Sequence, residues 1–333
     1  MITDLKKTLI IAEACDNHFG KLDNAKQMVI SAKISGADVV KFQHHLPDEE
    51  MLPDVYKSKN FKISLYDFLK KYSLKLKDHY ELKKFCKQQD IKYLCTPFSA
   101  KAAIELNELG VSAFKIGSGE FGDIPFIESV CKFKKPVIFS TGMSTIGEIH
   151  NMYLFLRKFK NKFAFMNCTS EYPPVYKDIN LGFIKTLIKK YPNYVIGHSD
   201  HTNTIYTSIA AVAMGAKIIE KHVYLKGKNF GPDRDVSISF DQLKEMVTAI
   251  RTIEQSFGEK KIIHHKEKEI VKWAKRSLVS LKDLEKGKVI QLGDIWSKRP
   301  FTGIPSKYYY KILGKKLKKN IPKNTILKYS DIN

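Results

Sequence analysis

"IGHSDHT", residues 196–202, ends a run of apolar and β-branched residues with His198, Ser199, Asp200 and His201 in succession. "AKIIEKHV", residues 216–223, repeats the design, placing Glu220 and His222 at the end of another such run. One polar strand end is unremarkable, because loops are polar. Its repetition along the chain decides the fold. Short β-rich runs recur at 9–14, 39–43, 93–98, 113–118, 137–142, 163–168, 195–200 and 218–223. Between them lie amphipathic segments of helical period, such as "LDNAKQMVISAKISG" and "SFDQLKEMVTAIRTIEQSFG", with Gly36 and Gly258 as C-terminal stops. Such a succession of β-α units predicts a closed (β/α)8 TIM barrel, an α/β fold whose active sites lie at the C-terminal strand ends.

The polar residues fall where that fold needs them. Glu13, Lys41, Gln43, Thr96, Lys115, Ser118, Glu120, Ser140, Thr141, Thr169, Ser170, Ser199, His201, Glu220 and His222 all sit at or just past a run's end. Lysines and hydroxyls suit a phosphate, supplying point charges and oriented O–H donors. Two histidines from neighbouring strand ends suit a metal. No GxGxxG or GxxxxGK[ST] loop occurs, which argues against a nucleotide.

Composition sets the bounds. The 333 residues, 43% of them apolar, suffice for one large domain and a small one. "SIAAVAMGA" (208–216), the longest apolar-rich stretch, is far short of the roughly 18 residues of a membrane span. The N-terminus lacks a signal-peptide cleavage pattern, so a cytoplasmic protein without membrane attachment is expected. Five cysteines, Cys15, Cys86, Cys95, Cys131 and Cys168, include no CxxC pair and are read as reduced thiols. Cys15, near the rim with no basic partner evident, is read as an inert one.

Lysine and arginine number 57 against 35 acidic residues, a net charge of +22. The lysines are spread along helix surfaces, as in "LKKYSLKLKDHYELKKFCK", without a basic-aromatic recognition motif. They are read as a solvated surface with no nucleic-acid partner, steering of an anionic substrate being a secondary use.

The character changes after Gly258. Residues 1–258 form the expected barrel domain, 259–276 a charged helical connector with solvated His264 and His265, and 277–333 a small domain of short strands and turns.

In order along the chain, "AEACDNHFG", "GADVVKFQ", "CTPFS", "FKIGSGE", "STGMS", "CTSEYP", "GHSDHT", "EKH" and "GPD" resemble the sialic acid synthase family, which includes N-acetylneuraminate, legionaminate and pseudaminate synthases. "KGKVIQLGDIWSKRP" resembles the family's antifreeze-like SAF domain. The resemblance implies a barrel joined to that domain in a domain-swapped homodimer. It also implies condensation of phosphoenolpyruvate with an open-chain N-acylated mannose-type aldose and water, giving a nine-carbon 2-keto sugar acid and phosphate. Carried over position by position, Lys41, Thr96, Lys115, Ser118, Ser140, Ser170 and Ser199 bind phosphoenolpyruvate, Ser170 standing where well-known bacterial members have Asn. His201 and His222 match ligands of a divalent metal, Mn2+ or Mg2+, and His198 is read as support or packing beside them. Gln43, Tyr172, Glu220 and Asp233 match sugar-lining positions, and Arg299 the arginine that reaches the neighbouring subunit's site. Phe301 follows "KRP" where many relatives have Gly.

The expected chemistry has C3 of phosphoenolpyruvate attack the aldose carbonyl, with positive charge developing at C2. Water adds there and phosphate leaves with cleavage of the original C2–O bond. Glu13 is assigned to the cation and the water proton, Glu120 to proton handling or orientation, and Lys115 to the phosphate-bearing substrate. "HHLPDEEM" (44–51) and "SLYDFLKK" (64–71) favour the N-acetylneuraminate type and hence N-acetylmannosamine, whereas "CTSEYP" is at home among legionaminate and pseudaminate synthases. Two rivals remain: a Schiff-base aldolase using Lys41 or Lys115, and a non-enzymatic carbohydrate- or nucleic-acid-binding protein.

Overall fold

The computed structural model describes residues 2, 5–53, 63–227 and 233–333. They form two compact units, Met1–Phe257 and Gly258–Asn333.

The first unit is an eight-stranded parallel barrel. Its strands are β1 Leu9–Glu13, β2 Val39–His44, β3 Lys92–Pro97, β4 Phe114–Ile116, β5 Val137–Ser140, β6 Phe163–Cys168, β7 Val195–Asp200 and β8 Ile218–Tyr224. The hydrogen-bonded path runs β3-β2-β1-β8-β7-β6-β5-β4, and a two-residue strand, β9 Ile238–Ser239, adds to β8. β3 and β4 are neighbours, but no ladder joins them among the described residues. β4 and β5 are shorter than their sequence runs, because the chain turns away at Gly117 and Gly142.

The two-residue side-chain alternation of a strand separates core from chemistry. Ile10, Ala12, Val40, Phe42, Phe139 and Phe165 point outward into the main core beneath the helices. Leu9, Ile11, Val39, Leu94, Ala113, Ile138, Ala164, Met166 and Ile218 form a separate apolar cluster filling the barrel's N-terminal half. The same inward rows then continue into Glu13, Lys41, Thr96, Lys115, Ser140 and Glu220, all buried. The polar residues therefore end up on an apolar floor.

Local signals place the helices that follow. Ser99 caps Ala100–Leu109 by accepting from Ala102 N, and Asp123 caps Ile124–Cys131 by accepting from Phe126 N. Thr145 with Glu148 and Ser239 with Gln242 form capping boxes for Ile146–Leu156 and Phe240–Ser256. Gly36, at φ +83, ends the first barrel helix, Leu22–Ile34.

In the second unit, β10 Ser277–Ser280 pairs antiparallel with β11 Ile295–Lys298. Leu278, Leu284, Ile290, Ile295, Ile304, Leu317, Ile321 and Leu327 make its core. The charged connector carries a helix, His265–Ala274, and His264 and His265 are exposed. Phe301 N donates to the Lys272 carbonyl at 2.8 Å, and Arg299 Nε to the Ala274 carbonyl at 3.0 Å. The "SKRP" turn is thus tied to the end of that helix.

Candidate active site

A cavity of about 650 Å³ opens at the C-terminal ends of the barrel strands. Glu13, Lys41, Gln43, Thr96, Lys115, Ser118, Glu120, Ser140, Ser170, Tyr172, Ser199, His201, Glu220, His222 and Asp233 all line it. Every site residue assigned within the barrel on sequence grounds therefore converges on one space. Gly231 and Pro232 of "GPD" lie outside the described residues.

The centre is a buried set of two lysines and two carboxylates. Lys41 Nζ lies 2.8 Å from Glu220 Oε2 and 3.3 Å from Glu13 Oε2, while Lys115 Nζ lies 3.4 Å from Glu220 Oε1. Burial opposes ionisation of Glu220, yet the Lys115 and Lys41 ammoniums hold it well below the usual carboxylate range. Burial pushes Glu13 up to about 7, Lys41 drawing it down and Glu220 driving it up. The two carboxylates thus differ: one is a fixed anion, and the other can exchange a proton near neutrality. Burial also lowers Lys115 and raises Glu120.

On the side of β4, β5 and β6 the lining becomes an anion cradle. Lys115 Nζ donates to Ser140 Oγ at 2.7 Å, and Gly142 N to Ser118 Oγ at 3.1 Å. A Cβ on Gly142 would run into Ser170 Oγ and come within 2.7 Å of Ser118 Oγ, so glycine lets the backbone approach both hydroxyls. Thr96 Oγ1 is buried without a hydrogen-bond partner among the described residues. An ammonium, convergent hydroxyls and a glycine backbone suit a phosphate better than a neutral group.

Beside the cradle, past β7 and on β8, His201 and His222 stand with ring centroids 5.2 Å apart. His201 Nδ1 donates to the Thr169 carbonyl at 2.8 Å, leaving Nε2 as the ring's acceptor nitrogen, which takes a hydrogen bond from the Tyr172 hydroxyl at 3.3 Å. His222 Nδ1 is buried without a hydrogen-bond partner among the described residues and lies 3.8 Å from Asp233 Oδ2. Cys15 Sγ contacts the same Asp233 oxygen, and Cys15, His222 and Asp233 each offer a donor atom within 4.8 Å of the others. This nitrogen, oxygen and sulfur donor set fits a divalent cation.

Residues 28–262 match the NeuB family. The chain belongs to the NeuB family. Residues 275–333 match the SAF domain, so the NeuB portion is followed by the small domain expected from sequence. The chain is 37% identical to the N,N'-diacetyllegionaminic acid synthase of Campylobacter jejuni, over 97% of this chain and 100% of that one. It is 34% identical to a pseudaminic acid synthase of Campylobacter jejuni, over 98% and 97% of the two chains. The crystal structure of an N-acetylneuraminic acid synthetase from Leptospira borgpetersenii, in complex with citrate, superposes with a TM-score of 0.73 at 31% identity, covering 80% of this chain and 90% of that one.

The structure adds residues to this NeuB site that the sequence reading passed over. His45 stacks on Phe98 with centroids 4.1 Å apart and lies 2.9 Å from both Glu50 Oε2 and Gln43 Oε1. Both partners are acceptors, so both ring nitrogens donate. Burial opposes that charged form, but Glu50 and Asp16 raise His45 above its ordinary value. Cys168 ends β6 with Sγ 3.9 Å from His201 Nδ1. Burial works against its thiolate, yet His201 brings it below the ordinary thiol value. The "HHLPDEE" stretch did carry a signal, a histidine and a glutamate five residues apart beside a strand end.

His198, read from sequence as support or packing, meets Asn167 of the neighbouring strand. It is buried with Nδ1 3.0 Å from the Asn167 carbonyl, which ties β7 to β6 next to His201. Behind the two ligand candidates, Lys221 Nζ lies 3.2 Å from Asp200 Oδ1 on the outer face of β7 and β8. Asp200 also accepts from Thr207 and Ser208 hydroxyls at 2.6 Å each. Arg299 belongs to the second unit, where its guanidinium lies 5.9 Å from the Trp273 ring centroid.

Proposed function

We propose that this NeuB-family chain is a nonulosonic acid synthase that condenses phosphoenolpyruvate with an N-acylated mannose-type aldose and water, releasing phosphate. The observation carrying this reading is the pairing of an anion cradle, Lys115 with Ser118, Ser140, Ser170 and the Gly142 backbone, with a buried carboxylate brought to about 7 in the same cavity.

In this reading the phosphate of phosphoenolpyruvate sits in the cradle, and Lys41 and Lys115 neutralise its charge. C3 attacks the aldose carbonyl carbon, forming the new C–C bond while positive charge develops at C2. The Glu220 anion, read from sequence as a sugar-lining residue, stabilises that charge in this proposal, in the part the sequence reading gave to Glu13. Glu13 Oε2 takes the proton of the water that adds to C2. The phosphate then leaves with the original bridging oxygen as the C2 hydroxyl gives up its proton, restoring the C2 carbonyl as a ketone, while the aldose carbonyl oxygen takes up a proton to become the new hydroxyl. Glu120, whose Oε2 is buried without a partner among the described residues, is placed to hold the sugar or relay a proton.

His201 and His222 would hold a divalent cation, which when bound would supply Lewis acidity toward the aldose carbonyl. Gln43, Tyr172 and Asp233 line the sugar side. The Schiff-base reading is not favoured, because the full-length relatives above are synthases; Lys41, despite burial, is held above the ordinary lysine range by Glu13 and Glu220, which suppresses its nucleophilicity, while Lys115, lowered by burial, is engaged by Ser140 and Glu220. A binding protein without catalysis is not favoured either, since the full-length relatives above are synthases.

The working unit in this proposal is a homodimer in which Arg299 of each chain serves its partner's cavity. Exposed Ile262, Ile263, Ile270, Trp273 and Trp296 in the second unit support a covered face there. No helix among the described residues is long and apolar enough to cross a membrane, and all five cysteines are free. Both fit the proposed cytoplasmic location.

Phosphate release, measured with phosphoenolpyruvate and a panel of aldoses bearing one or two N-acyl groups, tests the function. Release that requires an aldose, with 18O from solvent water entering the sugar acid and not the phosphate, supports it. Failure with every aldose, or solvent 18O in the phosphate, overturns it.

A further inference from the structure

We propose that Cys15 is a protein ligand of the divalent-metal site, acting with His222 and Asp233, and that the site therefore selects a thiophilic cation such as Zn2+, Co2+ or Fe2+ over Mg2+. The proposal rests on the metal reading above and revises its ligand set.

Cys15 lies two residues past the end of β1, and β1 pairs directly with β8, Glu13 standing opposite His222. That register brings the start of the β1 loop onto the histidine. The backbone at Cys15 has φ +46, a left-handed conformation that a non-glycine side chain adopts at a cost. Cys15 is 5% exposed, and its Sγ meets Asp233 Oδ2. Independently, His222 is 5% exposed with Nδ1 lacking any hydrogen-bond partner among the described residues, 3.8 Å from the same carboxylate. Donor atoms bound tetrahedrally at ordinary zinc distances stand about 3.3–3.8 Å apart. The three atoms all lie within 4.8 Å of one another, and to bind one ion Sγ and Oδ2, now in hydrogen-bond contact, would move apart around it while His222 Nδ1 stays near its present separation from the carboxylate.

The charges agree with this. Cys15 here is a thiol that donates to the Asp233 carboxylate beside His222; with the thiol proton lost, one thiolate and one carboxylate balance a 2+ ion to zero. As the Sγ–metal bond forms, the thiol proton passes to solvent. Thiolate shifts preference toward soft and borderline ions, whereas Mg2+ prefers oxygen ligands and keeps its waters. Three protein ligands leave a position open for His201 Nε2, water or a substrate oxygen.

The test uses the full-length protein stripped with chelator and titrated with Co2+. The expected result is a thiolate-to-cobalt charge-transfer band in the near ultraviolet, lost in Cys15→Ala and Cys15→Ser and kept in Cys168→Ala. Zn2+ affinity should fall at least about 10-fold in both Cys15 variants, with unchanged circular dichroism. Serine retains the side-chain shape, so a poorly folding alanine variant does not block the reading. Co2+ binding without the band, or a band that depends on Cys168, overturns the Cys15 assignment while leaving the histidine site standing. Absence of any Co2+ or Zn2+ binding by the unmutated protein overturns the metal reading itself.

Discussion

Gln43 donates from its amide nitrogen to Glu13 Oε1 at 2.8 Å, and it can do so only in one orientation of the amide. His45 fixes that orientation by donating to Gln43 Oε1 at 2.9 Å, and Glu50 anchors the imidazole from the other side. The carboxylate that handles the water proton in the proposed reaction is thus aimed through two intermediaries.

His45→Ala is expected to lower kcat roughly 10- to 100-fold, since small misplacements of reacting groups cost that much. KM for phosphoenolpyruvate should change little, because the cradle is untouched. His45→Gln, which keeps an N–H donor, should recover part of the loss. Steady-state kinetics with both substrates varied distinguishes this from general damage, which would move both constants and the thermal midpoint.

Gly142→Ala is expected to raise KM for phosphoenolpyruvate strongly while leaving the fold intact. The added methyl displaces Ser118 and Ser170 and not a piece of backbone or core. An unchanged KM would show that the phosphate does not sit between those hydroxyls.

Lys221→Met should destabilise the barrel by about 3–5 kcal/mol, because it leaves the Asp200 carboxylate buried without its cation. Combining it with Asp200→Leu should cost less than the single change, since neither charge then remains. Denaturant melts followed by far-ultraviolet circular dichroism measure both.

The second unit is expected to lose stability in acid. Asp294, though burial opposes its ionised form, is held below the ordinary carboxylate value by Lys282 at 2.9 Å, a hydrogen bond from Gln291 N and Lys288. A depressed carboxylate contributes stability that is complete above the unfolded pKa and disappears as pH falls through the folded one. Asp294→Ala should cost about 1–3 kcal/mol at neutral pH and flatten the acid limb. Both tryptophans, Trp273 and Trp296, lie in this unit, so fluorescence reports on it alone.

Arg299→Ala and His222→Ala homodimers should each be inactive, while mixing the two chains during refolding should restore activity. Random pairing leaves roughly a quarter of all sites with an intact barrel and an intact borrowed arginine. Mass-verified hybrids as inactive as their parents would mean that Arg299 does not act across the dimer.

The barrel was legible because eight strands buried on both faces read as apolar runs, and because their inward rows turn polar at one end. Lys41, Lys115, His201 and His222 announced themselves by position: a charged residue at the end of such a run has few structural reasons to be there. Cys15 and His45 did not. A cysteine looks the same in sequence whether it fills space or faces a carboxylate, and only the folded chain brings Cys15 and Asp233 together across 218 positions. His45 sits in a loop whose polarity explains itself locally, and its role emerges only once Gln43 and Glu50 are seen flanking it.

Because no ladder joins β3 to β4 among the described residues, a substrate bound as proposed would have a mechanical part. Thr96 on one side of that gap and Lys115 on the other face the same cavity. A phosphate or carboxylate held by both laces together two staves that the backbone leaves unstitched. In the proposed reaction such an anion would be the barrel's last hoop.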